Sequence, residues 1–157
     1  VDLTRINGLG VTAVMKILSE IGPDRRRFET VKHFCSWLGL CPGTKISGGK
    51  VLSGASKRIP NRLAQALRQA ATTLKNSRSS LGAYYRRLCA RLDKAKAIRA
   101  TAHKLARLIY ALLTRGHDYV DHGEAYYEER YRERVLFHLK RKAQAMGFAL
   151  TPVETPA

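Results

Sequence analysis

Apolar residues recur along this chain at helical spacing almost from end to end. Val14, Ile17, Leu18 and Ile21 form a first short stripe, opened by Gly8-Leu9-Gly10 and closed by Gly22-Pro23. Steps of three and four predict a helix over 11–22. Phe34, Trp37 and Leu38 predict a second, shorter helix, with Thr30 as its N-cap and Gly39 as its stop. Beyond Pro60 the periodicity returns in three longer runs. The first holds Leu63, Leu67, Ala70 and Leu74; the second Leu81, Tyr84, Tyr85, Leu88 and Leu92; the third runs from Ile98 through Leu105 and Ile109 to Leu113, before Gly116. A last segment, Glu124 to Met146, is charged and rich in tyrosine. Its acid-before-base spacing, as in Glu128 and Arg132, predicts a helix stabilised by its own ion pairs and either solvated or packed on a partner.

One stretch breaks the pattern. From Cys41 to Arg58, glycine and proline recur and Ile46, Val51 and Leu52 alternate with polar residues, which predicts a Gly-rich loop or small β-hairpin. The fold class is therefore mainly α. It divides into a helix-hairpin-helix-like part at 1–40, the loop at 41–58, a basic helical core with a C-terminal helix at 59–150, and a disordered tail at 151–157. Gly8 and Gly10 permit a tight turn at a helix start, which resembles the second half of a helix-hairpin-helix, where backbone N–H groups meet a phosphate. The competing reading is that the two glycines only shape a turn.

Charge adds an address to this outline. The 157 residues carry a net charge of +17. Between Thr30 and Arg115 lie 18 of the 29 basic residues and one of the 12 acids, Asp93, so the remainder of the chain is neutral. A field of one sign along one segment calls for a polyanion, with salt-dependent binding through counterion release. Nucleic acid fits best; a basic face without a specific partner, or an acidic membrane surface, is the alternative.

Other features exclude more than they assign. Cys35, Cys41 and Cys89 are odd in number and lack metal-ligand spacing, so reduced thiols are expected. No apolar run is long enough to span a bilayer and no signal peptide is evident. Beginning at Val1 rather than Met, the chain reads as a piece of a longer protein.

Metal-dependent nucleases gather two or more carboxylates around Mg²⁺. Asp118, Asp121, Glu124 and Glu128 are close in sequence, but helix pairing or solvation accounts for them, and no metal site is expected in this chain. A hydroxyl nucleophile needs an accessible loop and cations for the charge that develops on phosphorus. Ser47 meets that test, with Lys45 and Lys50 nearby and Gly48-Gly49 leaving room for a strand to approach. Ser53 and Ser56, beside Lys57 and Arg58, meet it nearly as well, and chemistry alone favours phosphate contact or turn formation for such serines. A tyrosine nucleophile (Tyr126, Tyr127 or Tyr131) with His103 and Arg107 as activators is less economical, since both activators fit as polar positions of an amphipathic helix.

The short motifs become specific in combination. Gly8-Leu-Gly10, Leu18-Ser-Glu20-Ile-Gly22, Phe34-Cys-Ser-Trp37-Leu-Gly39-Leu40-Cys-Pro42-Gly43, Ser47-Gly48-Gly49-Lys50, Thr101-Ala-His103-Lys104-Leu-Ala-Arg107 and Tyr126-Tyr127-Glu128-Glu129-Arg130-Tyr131-Arg132 follow one another in an order and spacing that resembles the C-terminal transposase domain of the IS110 family of insertion sequences, the DEDD-type, bridge-RNA-guided recombinases. The resemblance runs from Leu3 to about Leu150. It implies that Ser47 is the nucleophile, with Ser53 as the alternative if the loop carries a gap. From the turn at the helix start and the charge around the loop, Gly8, Gly10, Lys45, Lys50, Lys57, Arg58 and Arg62 are expected to contact nucleic acid, the lysines and Arg58 near the scissile bond. By the same resemblance the partners are DNA and a guide RNA, the assembly is a homo-oligomer, the setting is the prokaryotic cytoplasm and nucleoid, and Mg²⁺ belongs to a separate RuvC-like N-terminal domain, so that this chain alone would be inactive. A non-catalytic helix-hairpin-helix DNA-binding module, a decayed transposase fragment and an RNA-binding protein are the competing readings.

Overall fold

A computed structural model describes residues 2–22, 27–55, 59–116 and 119–153. Among these residues the chain forms six α-helices: α1 (Val11–Ile21), α2 (Val31–Trp37), α3 (Arg62–Thr73), α4 (Ser80–Cys89), α5 (Lys94–Arg115) and α6 (Gly123–Ala145). Between α2 and α3, β1 (Lys45–Ser47) and β2 (Lys50–Ser53) form a two-stranded antiparallel hairpin. The mainly α expectation holds, and residues 45–53 of the Gly-rich segment take the hairpin form.

The helix starts follow from local chemistry. Thr30, Asn61, Ser79 and Asp93 each stand just before a helix in extended backbone and accept a hydrogen bond from the N–H three residues on. Each removes one of the donors that a first turn leaves without a partner. Asp93, the single acid of the basic segment, is thus accounted for as the cap of α5.

The core forms where α3 and α5 pack together, with α1 laid against α3, and α2 and α4 against α5. Leu63, Leu67 and Leu74 join Leu105, Ile109 and Leu112 in one buried cluster, and Ala64, Ala71, Ala102 and Ala106, all fully buried, add small side chains to it. Leu3, Ile6 and Leu9 before α1, and Phe34 and Leu38 around α2, enter the same cluster. Residues on both sides of the hairpin, from Leu3 to Leu40 and from Leu63 to Leu112, therefore share one hydrophobic core. A 3.0 Å hydrogen bond from the Tyr110 hydroxyl to the Phe28 carbonyl ties α5 to the approach to α2, where Phe28, Phe34 and Trp37 pack ring against ring.

Two expectations about side chains are revised. Leu92 falls beyond the end of α4, in the bend before α5, and is 39% exposed; its stripe position is lost because the helix stops at Cys89. In α6, Glu128 reaches across to Arg87 of α4 instead of pairing along its own helix with Arg132. Arg86 likewise holds Glu124 at 2.5 Å, and the Arg87 guanidinium lies 3.5 Å from the centre of the Tyr131 ring. These contacts attach the first half of α6 to α4, yet α6 has no buried residue. Residues 151–153 have no regular secondary structure, and the rest of the expected disordered tail lies outside the described residues. Among the described residues no helix is long and apolar enough to cross a membrane.

Candidate nucleic-acid interface

Every residue of the two hairpin strands except Ser53 is exposed. Ile46 pairs with Val51 and Ser47 with Lys50, and Lys45 comes opposite Ser53 after an irregularity between Lys45 and Ile46. Gly48 and Gly49 form a two-residue turn with φ of +55° and +74°, the paired positive angles that a tight hairpin demands and that glycine adopts without steric cost. Gly43 N–H donates to the Ala55 carbonyl at 3.1 Å and closes the base.

Because side chains alternate along a strand and cross-strand partners share a face, Lys45, Ser47, Lys50 and Ser53 lie on one side of this ribbon. Ile46 and Val51 occupy the other, each 64% exposed. The two serines differ in state. Ser53 is half-buried and its Oγ accepts a 3.3 Å hydrogen bond from Ala55 N–H. Ser47 is exposed, and its hydroxyl makes no hydrogen bond among the described residues.

The other expected contact residues divide by position. Arg62 is the first residue of α3 and is exposed, at the end of the helix that the hairpin leads into. Lys57 and Arg58, with Ser56, lie outside the described residues. Gly8 sits at the far end of α3: a Cβ on it would stand 3.0 Å from the Ala70 carbonyl oxygen and 3.1 Å from Leu74. Ala70 is eight residues from Arg62, about 12 Å along the helix. The structure thus places Gly8 beside the core, with φ of +89°, and apart from the hairpin group. Gly10 is open, with no atom within 4 Å of the point where a Cβ would stand, and it is the N-cap of α1. Ahead of the Gly8–Gly10 turn the described residues contain a single 3₁₀ turn, Leu3–Arg5, where a full helix-hairpin-helix would have its first helix.

Sequence reasoning misses a second basic surface. A furrow of about 570 Å³ runs between the start of α2 and α5, lined by three cations, Lys104, Arg107 and Arg115, and one acid, Glu29, together with Thr30 and Tyr110. The signal is present in the chain, since steps of three and eight put these three cations near one face of α5. His103 and Arg107 also lie one turn apart. Burial, then the Arg107 charge, hold the His103 imidazole below its ordinary value, which favours its neutral form.

The described carboxylates of this region are already engaged. Asp121 accepts from the Ser80 backbone N–H at 3.0 Å, from the Ser80 hydroxyl and from Gly123 N–H; Glu124 and Glu128 are held by Arg86 and Arg87. Asp118 lies outside the described residues. Among the described residues no group of His, Cys, Asp and Glu could hold a metal ion. The cysteines are free thiols, Cys35 buried and Cys89 exposed, and burial pushes the Cys35 thiol up to about 11.

The family model described as "Transposase IS116/IS110/IS902 family" matches residues 2–86. The chain belongs to this family. The transposase for insertion sequence element IS1111A of Coxiella burnetii is 30% identical over 119 residues, 73% of this chain and 32% of that protein. A family 20 transposase of Pseudomonas aeruginosa is 29% identical over 118 residues, 72% of this chain and 35% of that protein. A transposase of Sinorhizobium fredii, y4pF/y4sB, is 28% identical over 123 residues, 74% and 32% of the two chains. The chain therefore spans about a third of the length of the curated relatives that it matches. No solved structure matches it.

Proposed function

We propose that this chain is the DNA-binding, serine-bearing part of a transposase, and that Ser47 is the nucleophile of strand cleavage and exchange. The observation that carries this reading is the hairpin face: an exposed, unengaged hydroxyl directly across from Lys50 and on the side of Lys45, next to a turn without side chains. Ser47 Oγ attacks a backbone phosphorus and releases its proton to solvent or a base. The bond from phosphorus to one deoxyribose oxygen breaks, and that oxygen leaves as a free hydroxyl once protonated. One phosphate ester replaces another, so the exchange is reversible without an energy source. Lys45 and Lys50 offset the negative charge that builds on the phosphoryl oxygens. The central basic segment, including Arg62 and the stretch with Lys57 and Arg58, holds the DNA backbone.

Mg²⁺ finds no carboxylate set in the described residues. In this reading it belongs to a separate RuvC-like half, and no step of the present chain is routed through it. A guide RNA, a homo-oligomeric assembly and a cytoplasmic, nucleoid-associated setting are part of the same proposal; they rest on family membership alone.

The test uses a protein that carries both halves. Ser47→Ala should abolish covalent DNA linkage and leave duplex binding measurable, with affinity that falls steeply as salt rises. Linkage that survives Ser47→Ala and disappears with Ser53→Ala would move the nucleophile to the second serine. The same binding without linkage in the unaltered protein would favour a non-catalytic DNA-binding module.

A further inference from the structure

Outside the hairpin the chain carries a second place suited to nucleic acid. A cleft of about 370 Å³ opens between α4, α5 and the first half of α6. Its walls combine two chemistries that are seldom adjacent. Four tyrosines, Tyr84, Tyr119, Tyr126 and Tyr127, supply ring surface, and Lys104, Arg130 and Arg134 supply charge.

Those cations are unequally matched. Arg130 has Glu133 at 3.2 Å. Lys104 and Arg134 have no carboxylate within ion-pair distance among the described residues, and Asp121, which precedes the lining residue His122, is engaged by Ser80 and Gly123. Partial burial, then Arg107 and Arg134, hold the Lys104 ammonium below its ordinary value. Like charges held together without a counter-charge are a cost to the fold that a bound anion removes. The aromatic walls say which anion. Tyr126 is 45% exposed, a flat face of the kind on which bases stack in proteins that bind unpaired strands. Lys104 also lines the basic furrow along α5, so a strand whose phosphates follow that furrow arrives at the mouth of the cleft.

We propose that the cleft between α4, α5 and α6 receives one unpaired nucleotide, its phosphate between Lys104 and Arg134 and its base against the ring of Tyr126. The inference deepens the reading of the chain as a nucleic-acid-binding transposase part and rests on it for its biological ligand. It makes the cleft a site for a nucleotide that is extruded or single-stranded while the hairpin addresses the duplex backbone.

Titration calorimetry of the protein with deoxyuridine 5′-monophosphate, deoxyuridine and inorganic phosphate tests the site directly. The monophosphate should bind at least about tenfold more tightly than either part alone, and Lys104→Gln or Arg134→Gln should each weaken it about tenfold. Tyr126→Ala should remove the advantage over inorganic phosphate. All three side chains are exposed, and an unchanged melting temperature would exclude unfolding as the cause of any loss. Uridine 5′-monophosphate, which differs only at the 2′ position, separates an RNA source from a DNA source. Equal affinity for the monophosphate and inorganic phosphate, or full affinity in both cation variants, overturns the proposal. Duplex affinity measured in parallel reports on the hairpin and basic segment, so its loss with monophosphate binding intact would overturn the broader reading while sparing the cleft.

Discussion

Ser47 and Lys50 are direct cross-strand partners, joined by a turn of two glycines that both hold positive φ. The pairing puts a hydroxyl and an ammonium group on the same face of the ribbon. It also makes their alignment depend on the turn. Gly49→Val would force a β-branched residue to φ near +74°, a region that such side chains avoid at a cost of about 1–3 kcal/mol. Strand cleavage should fall at least about tenfold. The exposed hairpin can relieve that strain by opening locally while the core stays folded, so the melting temperature should fall by at most about 4 °C. Gly48→Asn, a residue that tolerates such turns, should retain most activity. Normal cleavage by Gly49→Val would detach the chemistry from the turn.

Thr101 is fully buried on α5 and its Oγ1 has no hydrogen-bond partner among the described residues. Burying a hydroxyl without a partner costs on the order of 1 kcal/mol or more. Thr101→Val keeps the branched shape and removes the polar atom, so it should be neutral or stabilising by about 1 kcal/mol in urea denaturation. A loss of more than about 1 kcal/mol would mean that the hydroxyl is satisfied in solution.

Cys35 predicts a dependence on alkaline pH. Its thiol is 1% exposed and is raised from 9.0 to about 11, so between those values the folded state keeps a proton that the unfolded chain gives up. Stability should be fully present below pH 9 and decline as pH rises toward 11, by on the order of 2 kcal/mol from this group. Tyr84, Tyr85, Tyr119 and Tyr127 are also raised, chiefly by burial, and add in the same direction. Equilibrium denaturation at a series of pH values would show a shallower decline in Cys35→Ala. An unchanged profile in that variant would contradict the assignment.

Arg87 ties α6 to α4 through Glu128 and the Tyr131 ring. Arg87→Gln removes both contacts and should cost about 1 kcal/mol, since Glu128 is largely solvated and the ring contact supplies much of the effect. Hydrogen exchange should quicken in α6 and stay unchanged in α3 and α5. Uniform quickening would show that the α4–α6 contacts belong to the global folding unit.

Much of the fold was legible because helical periodicity is a local property. The Leu63, Leu67, Ala70 and Leu74 stripe is buried as its spacing predicts, and Thr30 and Gly116 mark helix ends where their chemistry requires. The hairpin could be anticipated from Gly48-Gly49 between alternating residues. Leu92 and Glu128 could not be placed, because each depends on where a helix stops or what crosses it. The same holds for the site. Lys45, Ser47 and Lys50 are neighbours in sequence and remain so in space. Gly8 shares their glycine signature, yet tertiary packing assigns it to the end of α3. The cleft of Tyr126, Lys104 and Arg134 gathers residues from separate helices, and no sequence window contains it.

If Ser47 forms the covalent link to DNA, trypsin offers a direct way to locate that link. Cleavage after Lys45 and Lys50 yields a peptide of residues 46–50 that contains Ser47, and cleavage after Lys57 yields 51–57, which contains Ser53 and Ser56. A protein carrying both halves is trapped on a nicked DNA substrate, digested with nuclease and trypsin, and analysed by mass spectrometry. Ser47 as the nucleophile predicts a nucleotide-phosphate adduct on the 46–50 peptide, whereas an adduct on 51–57 or on a tyrosine peptide of α6 would contradict it.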